Sequence, residues 1–513
     1  MIKTAAALAV ITVATACNST MSYVKCTQEL ADNWEAGNFT GAVEISEKLL
    51  CKQRSKVENN IVFFLEHASA LRAVEAYEDS NWHFQTALDL MDERRGDLQG
   101  QNATGEKAAS AGREVAALVS NLNAIPYRGF GYDRIMAHTY IALNYLAMGE
   151  NATKKIKAII ANEEITPEEK EEQIKELKKQ AAEAPDKARV EFNRLYQTQQ
   201  YLVSEEYDKE IGKDQDKIQE EQNKKRQQIS SAGANAAPVN NALASMRQDY
   251  STEISYAPYV NPFATYLKAI FDATDGDTEN AILLLERVKV FGNNSFVEED
   301  LKLLKSGKPI ENVTYVIFES NMAPFRTEKL FETVIPIPVK RRDEYGNIHT
   351  DIIPVKIAFS WPKLEDPAQP KIHQYVINGD TRIPTEIVAD MKSIVAKEFE
   401  IRWPGIKSRI FLSVLTKTVG SIYAVKAGGW VGALGASIYQ EITKGTDSRT
   451  WRTLPGNFQL LRMTTPKDRK IKLDQRNSTV PMEIEIIPGD VNVIYIKQTA
   501  PESPPVHHQF KLK

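Results

Sequence analysis

The sequence predicts an α+β chain, helical to about residue 308 and β-rich from 309 to 513. Three observations carry that division. Up to Lys305 the apolar residues recur with the spacing of amphipathic helices, whereas after Gly307-Lys308-Pro309 they alternate with period two. In the helical half, "GNFTGAVEISEKLL" from Gly37 and "GDTENAILLLERV" from Gly276 each place an alanine five residues after the glycine. The glycine suits a helix end with positive φ, and the alanine suits close approach of the next helix, which is the turn grammar of a tetratricopeptide-like repeat array. In the β-rich half, a long apolar Gly-rich segment, 410–442, stands between two groups of strands.

Residues 1–16 read as a signal peptide. Lys3 supplies a positive start, Ala5 to Val13 an apolar core too short to span a bilayer, and Ala14-Thr15-Ala16 small residues for cleavage. Cys17 follows directly, so Ala-Thr-Ala-Cys is close to a lipobox, with Ala14 where that motif usually has leucine. The expectation is lipidation of Cys17, with plain secretion as the alternative. Two or three acyl chains, at about 0.8 kcal/mol per buried methylene, amount to stable anchoring. Asn18 after the cysteine favours the outer membrane by the bacterial sorting rule. Cys26 and Cys51 lie equidistant from the Gly37-Asn38 turn, so a helix hairpin could bring them together as a disulfide in an oxidising compartment; two buried thiols are the alternative.

Within the helical domain, 17–308, a third copy of the repeat looks interrupted. "AHTYIALNYLAMGE" ends at Gly149, and the next helix of that kind resumes at Asp186. The intervening residues, 150–185, read as a charged helical insertion with Pro167 at a helix start. A second charged helix and linker occupies 205–242, after which Phe263, Leu267, Ile270 and Phe271 form an apolar stripe. "IPYRGFGYDRIMAHTY" is unusually rich in polar aromatic and charged residues. Tyr127, Arg128, Tyr132, Asp133 and Arg134 are therefore either a partner-binding patch or a polar lock between repeats.

After residue 308, runs such as "NVTYVIFES", "TVIPIPVK", "DIIPVKIAFSW" and "VNVIYIKQT" predict strands, and prolines within them favour a sandwich over a parallel sheet. One helix is expected from Pro384, with Glu386 near its positive end. Segment 410–442 is expected to fold as a tightly packed apolar helical hairpin. Its Ala424, Gly428, Gly432 and Ala436 recur every four residues, so a homo-oligomer through the Gly428, Gly432, Ala436 face and contact with a membrane surface are the alternatives.

Composition narrows function by exclusion. A net charge of −4 with 26% charged residues argues against a nucleic-acid partner and against an acidic disordered chain. No zinc-protease, phosphate-loop or nucleophile-elbow motif occurs, no metal site is expected, and no cofactor is implied. Ser360 and Lys363 in "SWPK" match the Ser-x-x-Lys spacing of envelope enzymes, but the serine ends a predicted strand and Pro362 intervenes. Trp451 and Arg452 either clamp the final strands or stand exposed as interface anchors, and burial of Trp451 would support the clamp.

A lipobox leader, then "GYDRIMAHTYIALNYLAMGE", "KARVEFNR", "NPFATYLKAIF" with "GDTENA", a Gly-rich apolar helix and "TDSRTWRTLPGNFQLLRM" occur in this order. In this the chain resembles a family of largely uncharacterised bacterial lipoproteins with tetratricopeptide-like N-terminal halves. The most specific piece is "DSRTWRTLP", Asp447 to Pro455. The resemblance implies envelope localisation, other envelope proteins as partners and proximity to lipoproteins of cell-wall synthesis; it carries no catalytic residues to transfer. The expected function is a non-enzymatic scaffold or adaptor facing the periplasm. The alternative is an oligomeric, membrane-interacting component that uses 410–442.

Overall fold

The computed structural model describes residues 23–53, 61–99, 127–203, 207–232, 237–244, 246, 250, 252, 259–342, 345–367, 369, 372, 374–443, 446–474 and 481–513. Cys17 and the leader lie outside them. The chain opens with α1 (Tyr23–Cys26), α2 (Gln28–Glu35) and α3 (Phe39–Gln53), followed by α4 (Ile61–Ala73) and α5 (Tyr77–Gln99). Then come α6 (Gly131–Ala161), α7 (Pro167–Tyr201), α8 (Tyr207–Ser231) and α9 (Ala237–Leu243). The last of this series are α10 (Pro262–Asp275), α11 (Thr278–Lys289) and α12 (Ser295–Lys305).

One turn geometry recurs after α2, α4, α10 and α12. Gly37, Glu75, Gly276 and Gly307 take positive φ values of 73°, 62°, 101° and 73°. The next N–H in each case reaches the carbonyl five residues back: Asn38 to Asn33 (2.9 Å), Ala76 to Leu71 (3.0 Å), Asp277 to Asp272 (2.8 Å) and Lys308 to Leu303 (3.3 Å). This is the Schellman closure. Five residues beyond the first three of these, Ala42, Ser80 and Ala281 are fully buried, as the small residue of a close helix contact must be. Glu75 has a Cβ where its counterparts have none. Glu75→Gly is expected to raise stability by about 1 kcal/mol, read from the urea midpoint.

The charged insertion is not a separate arm between two broken helices. Helix α6 runs through Gly149 and α7 runs through Pro185, so residues 150–185 are the outer ends of one long helix pair. A Cβ at Gly149 would lie 2.7 Å from Cβ of Ala184; the glycine serves close helix contact rather than a turn. Pro167 does start its helix, with Thr166 and Glu169 capping each other's backbone. The Cys26–Cys51 bond is likewise not formed. The chain breaks between α1 and α2 at Thr27, and Tyr23 turns to α4, where its ring meets Phe63 and its hydroxyl meets Glu66 (2.8 Å), while Cys51 is exposed on α3.

The β-rich part comprises β1 (Val313–Ser320), β2 (Phe325–Arg342), β3 (Ile348–Glu365), β4 (Tyr375–Asn378), β5 (Thr381–Pro384) and β6 (Glu386–Asp390). A long helix, α13 (Met391–Thr443), precedes β7 (Asn457–Thr464), β8 (Lys470–Asp474), β9 (Met482–Glu485), β10 (Val491–Gln498) and β11 (Val506–Lys511). A central sheet runs β11-β10-β1-β7-β6, in which only β1 and β10 are parallel. A second sheet runs β5-β4-β8-β9, and β2 with β3 forms a separate two-stranded ribbon. Val316, Phe318, Ile494 and Ile496 of the central sheet meet Ile471, Leu473 and Ile484 of the second, which is the expected sandwich contact. The other face, with Tyr315, Val493 and Phe458, joins the helices in a core continuous from Tyr23 to Phe510. Phe263 stacks on Phe458 at 3.7 Å, so the boundary near residue 308 is a turn in the chain and not a gap in the core.

Two expectations about the second half are corrected. The helix begins at Met391, not Pro384, because Glu386–Asp390 pairs with β7 as an edge strand and Asp390 accepts from the Lys392 N–H (3.2 Å). Glu386 accepts from the N–H and hydroxyl of Ser295 (2.6 and 2.5 Å), so it serves the start of α12 instead. Segment 410–442 is the outer part of one uninterrupted helix and not a hairpin. Its residues include no Pro, Asn or Asp to stop a helix, and glycine alone only weakens one. Ile410, Val414, Leu415 and Ile422 pack against Ile357, Phe359 and Trp361 of the ribbon and against Ile229 and Leu243 beside them. The side chains of 425–443, with the Gly428, Gly432, Ala436 face, lie outside the described residues. Among the described residues no helix is long and apolar enough to cross a membrane.

Candidate functional site: a buried polar junction

Residues 127–134 do not form a surface. Tyr127, Tyr132, Asp133 and Arg134 are buried and Arg128 is partly so, because the start of α6 is roofed by α13 and by residues 446–455. The first N–H groups of α6 have no partners in their own helix, and Glu398 of α13 supplies one. Its carboxylate accepts from Gly131 (2.8 Å) and Tyr132 (3.2 Å), and Arg402 one turn on pairs with it at 2.9 Å. A negative charge at this helix end is favoured by the backbone dipole.

Asp133 accepts from the Tyr127 hydroxyl (2.5 Å) and the Phe130 N–H (2.8 Å) through one oxygen. The other oxygen is buried without a hydrogen bond. Burial pushes the carboxyl up to about 7, against the pull of those two hydrogen bonds, and nearby Glu398 pushes the same way as burial. Arg134 turns outward to Asp92 and the Met91 carbonyl (2.7 Å). Arg326 lies over the rings of Phe130 (4.1 Å) and Phe399 (5.0 Å), and Arg449 over Tyr127 (5.5 Å) while pairing with Asp447 at 2.8 Å.

The second half of the junction is "TWRTLP" docked on α4. Glu66 accepts from the N–H groups of Arg452 (2.6 Å) and Thr453 (3.1 Å), the Thr453 hydroxyl (2.7 Å) and the Tyr23 hydroxyl. Trp451 is fully buried, which excludes the exposed interface anchor. Its indole N–H is shared between Ser69 (3.0 Å) and Thr453 (2.8 Å), and its ring stands 5.6 Å from Phe84 and 6.0 Å from Tyr140. What it clamps is helices α4, α5 and α6, not the final strands. Glu66, Glu398 and Asp133 were not linked to one another by any spacing in the sequence; Glu66 in "IVFFLEHASALRA" is nonetheless a visible oddity, a carboxylate directly after five apolar residues.

Chemically these groups hold segments together. Glu66 has four donors on two oxygens, so it is engaged rather than poised to take a proton from a substrate. Ser360 and Lys363 stand three residues apart in β3 and therefore point to opposite faces of the strand, so they make no Ser–Lys pair. His507 and His508 are neighbours in β11 and also face opposite ways; His508 stacks on Tyr495 at 5.1 Å. Among the described residues no group of His, Cys, Asp and Glu could hold a metal ion. Comparison with family models, with curated proteins and with solved structures finds no match for the chain.

Proposed function

We propose that this chain is a lipid-anchored cell-envelope protein of the lipoprotein family it resembles. It acts as a non-enzymatic scaffold or adaptor, held by Cys17 to the outer membrane and facing the periplasm, with other envelope proteins as partners and envelope or cell-wall assembly as the process served. The observation that carries the reading is the β2–β3 ribbon: Val334, Ile348 and Ile352 are 60%, 62% and 70% exposed, a group of apolar side chains offered outward on one element. The buried junction supports it indirectly, since its acids and arginines are spent on fixing the body that carries the ribbon. Bilayer contact through 410–442 draws less support, because Ile410 to Ile422 are consumed in packing the ribbon itself.

The test is intact mass and membrane fractionation of the native protein beside Cys17→Ala. Acylated mass on Cys17, with the variant released from the membrane fraction, is the expected result, and crosslinking then captures envelope partners. Two soluble proteins, both cut after Ala16, overturn the anchored reading.

A further inference from the structure

Arg72 stands in the last turn of α4, buried between the rings of Tyr140 on α6 and Tyr495 on β10, each 5.0 Å from the guanidinium carbon. Its Nη1 donates to Oδ1 of Asn144 (2.5 Å). That oxygen is fixed in direction, because the amide nitrogen of Asn144 is committed to Ser80 (3.1 Å) and Asn81 (2.8 Å). Nε and Nη2 are buried and have no hydrogen-bond partner among the described residues. These two nitrogens share one edge of the planar guanidinium, so their N–H groups run parallel and suit a single acceptor.

The contacts continue round a circuit. Tyr495 stacks on His508 of β11 at 5.1 Å, and His508 meets Tyr77, the first residue of α5, at 5.9 Å. Tyr77 closes the circuit, since the charge of Arg72 acts on its hydroxyl and opposes the upward push of burial. The Tyr77 hydroxyl and Nε2 of His508 are buried and likewise have no hydrogen-bond partner among the described residues. Both can donate, the phenol through its O–H and the neutral imidazole through one of its two tautomers. The Tyr140 hydroxyl is also unpartnered, but it faces Glu319 instead.

Charge points the same way. Glu319 accepts from Lys497 and from the Tyr495 hydroxyl (2.5 Å), so this buried acid is matched by its own lysine. Burial holds His508 well below the usual histidine range, and the imidazole is neutral. Glu75 acts on Tyr77 and His507 from the exposed turn, while Lys154 acts on His507 and His508 in the opposite sense. Arg72 is left with a neutral amide and two ring faces, which attract a cation but accept nothing in the guanidinium plane. A buried charge neither paired nor fully hydrogen-bonded is strongly unfavourable. We propose that Arg72, Tyr77 and His508 bind a monatomic anion, chloride being the abundant one, on the Nε and Nη2 edge of the guanidinium. The Tyr77 hydroxyl and His508 Nε2 close it in. A water molecule would bring two hydrogens needing acceptors of their own, whereas a halide only accepts. Separations of 5.0 to 5.9 Å between these groups exclude phosphate or a carboxylate. The ion ties the turn between α4 and α5 to β10 and β11, the last strands of the chain.

The experiment follows the thermal midpoint of the purified full chain while sodium chloride or bromide replaces sodium gluconate at constant ionic strength. Expected is a saturable rise of at least about 2 °C with either halide, following single-site linkage. Tyr77→Phe keeps the ring and removes one donor, so the half-saturating halide concentration rises by about tenfold. Arg72→Gln abolishes the halide response; should that variant not fold, Tyr77→Phe carries the test. Crystals grown in bromide show an anomalous peak beside Nε and Nη2 of Arg72. Equal midpoints in all three salts overturn the proposal, as does an unchanged half-saturating concentration in Tyr77→Phe. So does a water at the Arg72 edge with no anomalous signal, or bromide bound in the crystal without saturable stabilisation in solution. None of these outcomes bears on anchoring through Cys17, which is tested separately above.

Discussion

Replacing Trp451 by alanine lowers the stability of the fold by about 3–5 kcal/mol, the range for deleting a large buried aromatic. The ring fills a site between Phe84 and Tyr140, and its loss also leaves Ser69 and Thr453 without the indole donor. Because the segment from Trp451 to Thr453 carries three of the four donors to Glu66, slackening it exposes a buried carboxylate as well as a cavity. Trp451→Phe keeps most of the volume and loses the N–H, so it costs only about 1–2 kcal/mol. The check is the urea midpoint of the three proteins side by side. Equal midpoints for parent and Trp451→Ala would mean that "DSRTWRTLP" is held to the helices by something other than this ring.

The second large effect is on pH dependence. Asp133 has an ordinary carboxyl value of 3.8 when unfolded and about 7 in the fold, chiefly because it is buried. Between those two values the folded state keeps a proton that the unfolded chain has released. Stability from this group is therefore full below about pH 4, falls as pH rises, and is lost above about pH 7. At about 1.4 kcal/mol per pH unit the change across the window is roughly 4 kcal/mol. Asp133→Asn mimics the protonated form and cannot titrate. The parent is expected to lose much more stability than the variant between pH 5 and pH 8, measured as the shift in urea midpoint. Other buried carboxylates such as Glu66 and Asp300 are present in both proteins and cancel in that comparison.

The local grammar of the helical half was legible where glycine carries it. Gly37 and Gly276 close helices as read, and Ala42 and Ala281 are buried as read. Glu75 closes α4 in the same conformation and gave no signal, because a tolerated left-handed residue leaves no compositional mark. Gly149 was misread for the complementary reason: a helical glycine against Ala184 and a helix-ending glycine look alike in one dimension. Among the strands, β1, β3 and β10 stood out through their β-branched runs, whereas β11 lay hidden in the Pro- and His-rich tail and β6 in what looked like the start of a helix. The polar residues of 127–134 were recognised as unusual, and both roles considered for them were compatible with the sequence. What decides between those roles is Glu398 and residues 447–453, over 260 positions away, a pairing that hydrophobic periodicity cannot carry.

Helix α13 is also a mechanical element. Its 53 residues, at about 1.5 Å each, make a rod of roughly 80 Å. Glu398 pins the near end to the start of α6, while Ile410 to Ile422 are bolted to the ribbon. Between these two fixings lies Pro404, which has no N–H to return to the carbonyl of Glu400. The rod is therefore jointed between its mounting and its load. Force applied at the ribbon bends the molecule first at that joint, and what passes beyond it arrives at the carboxylate seated on α6.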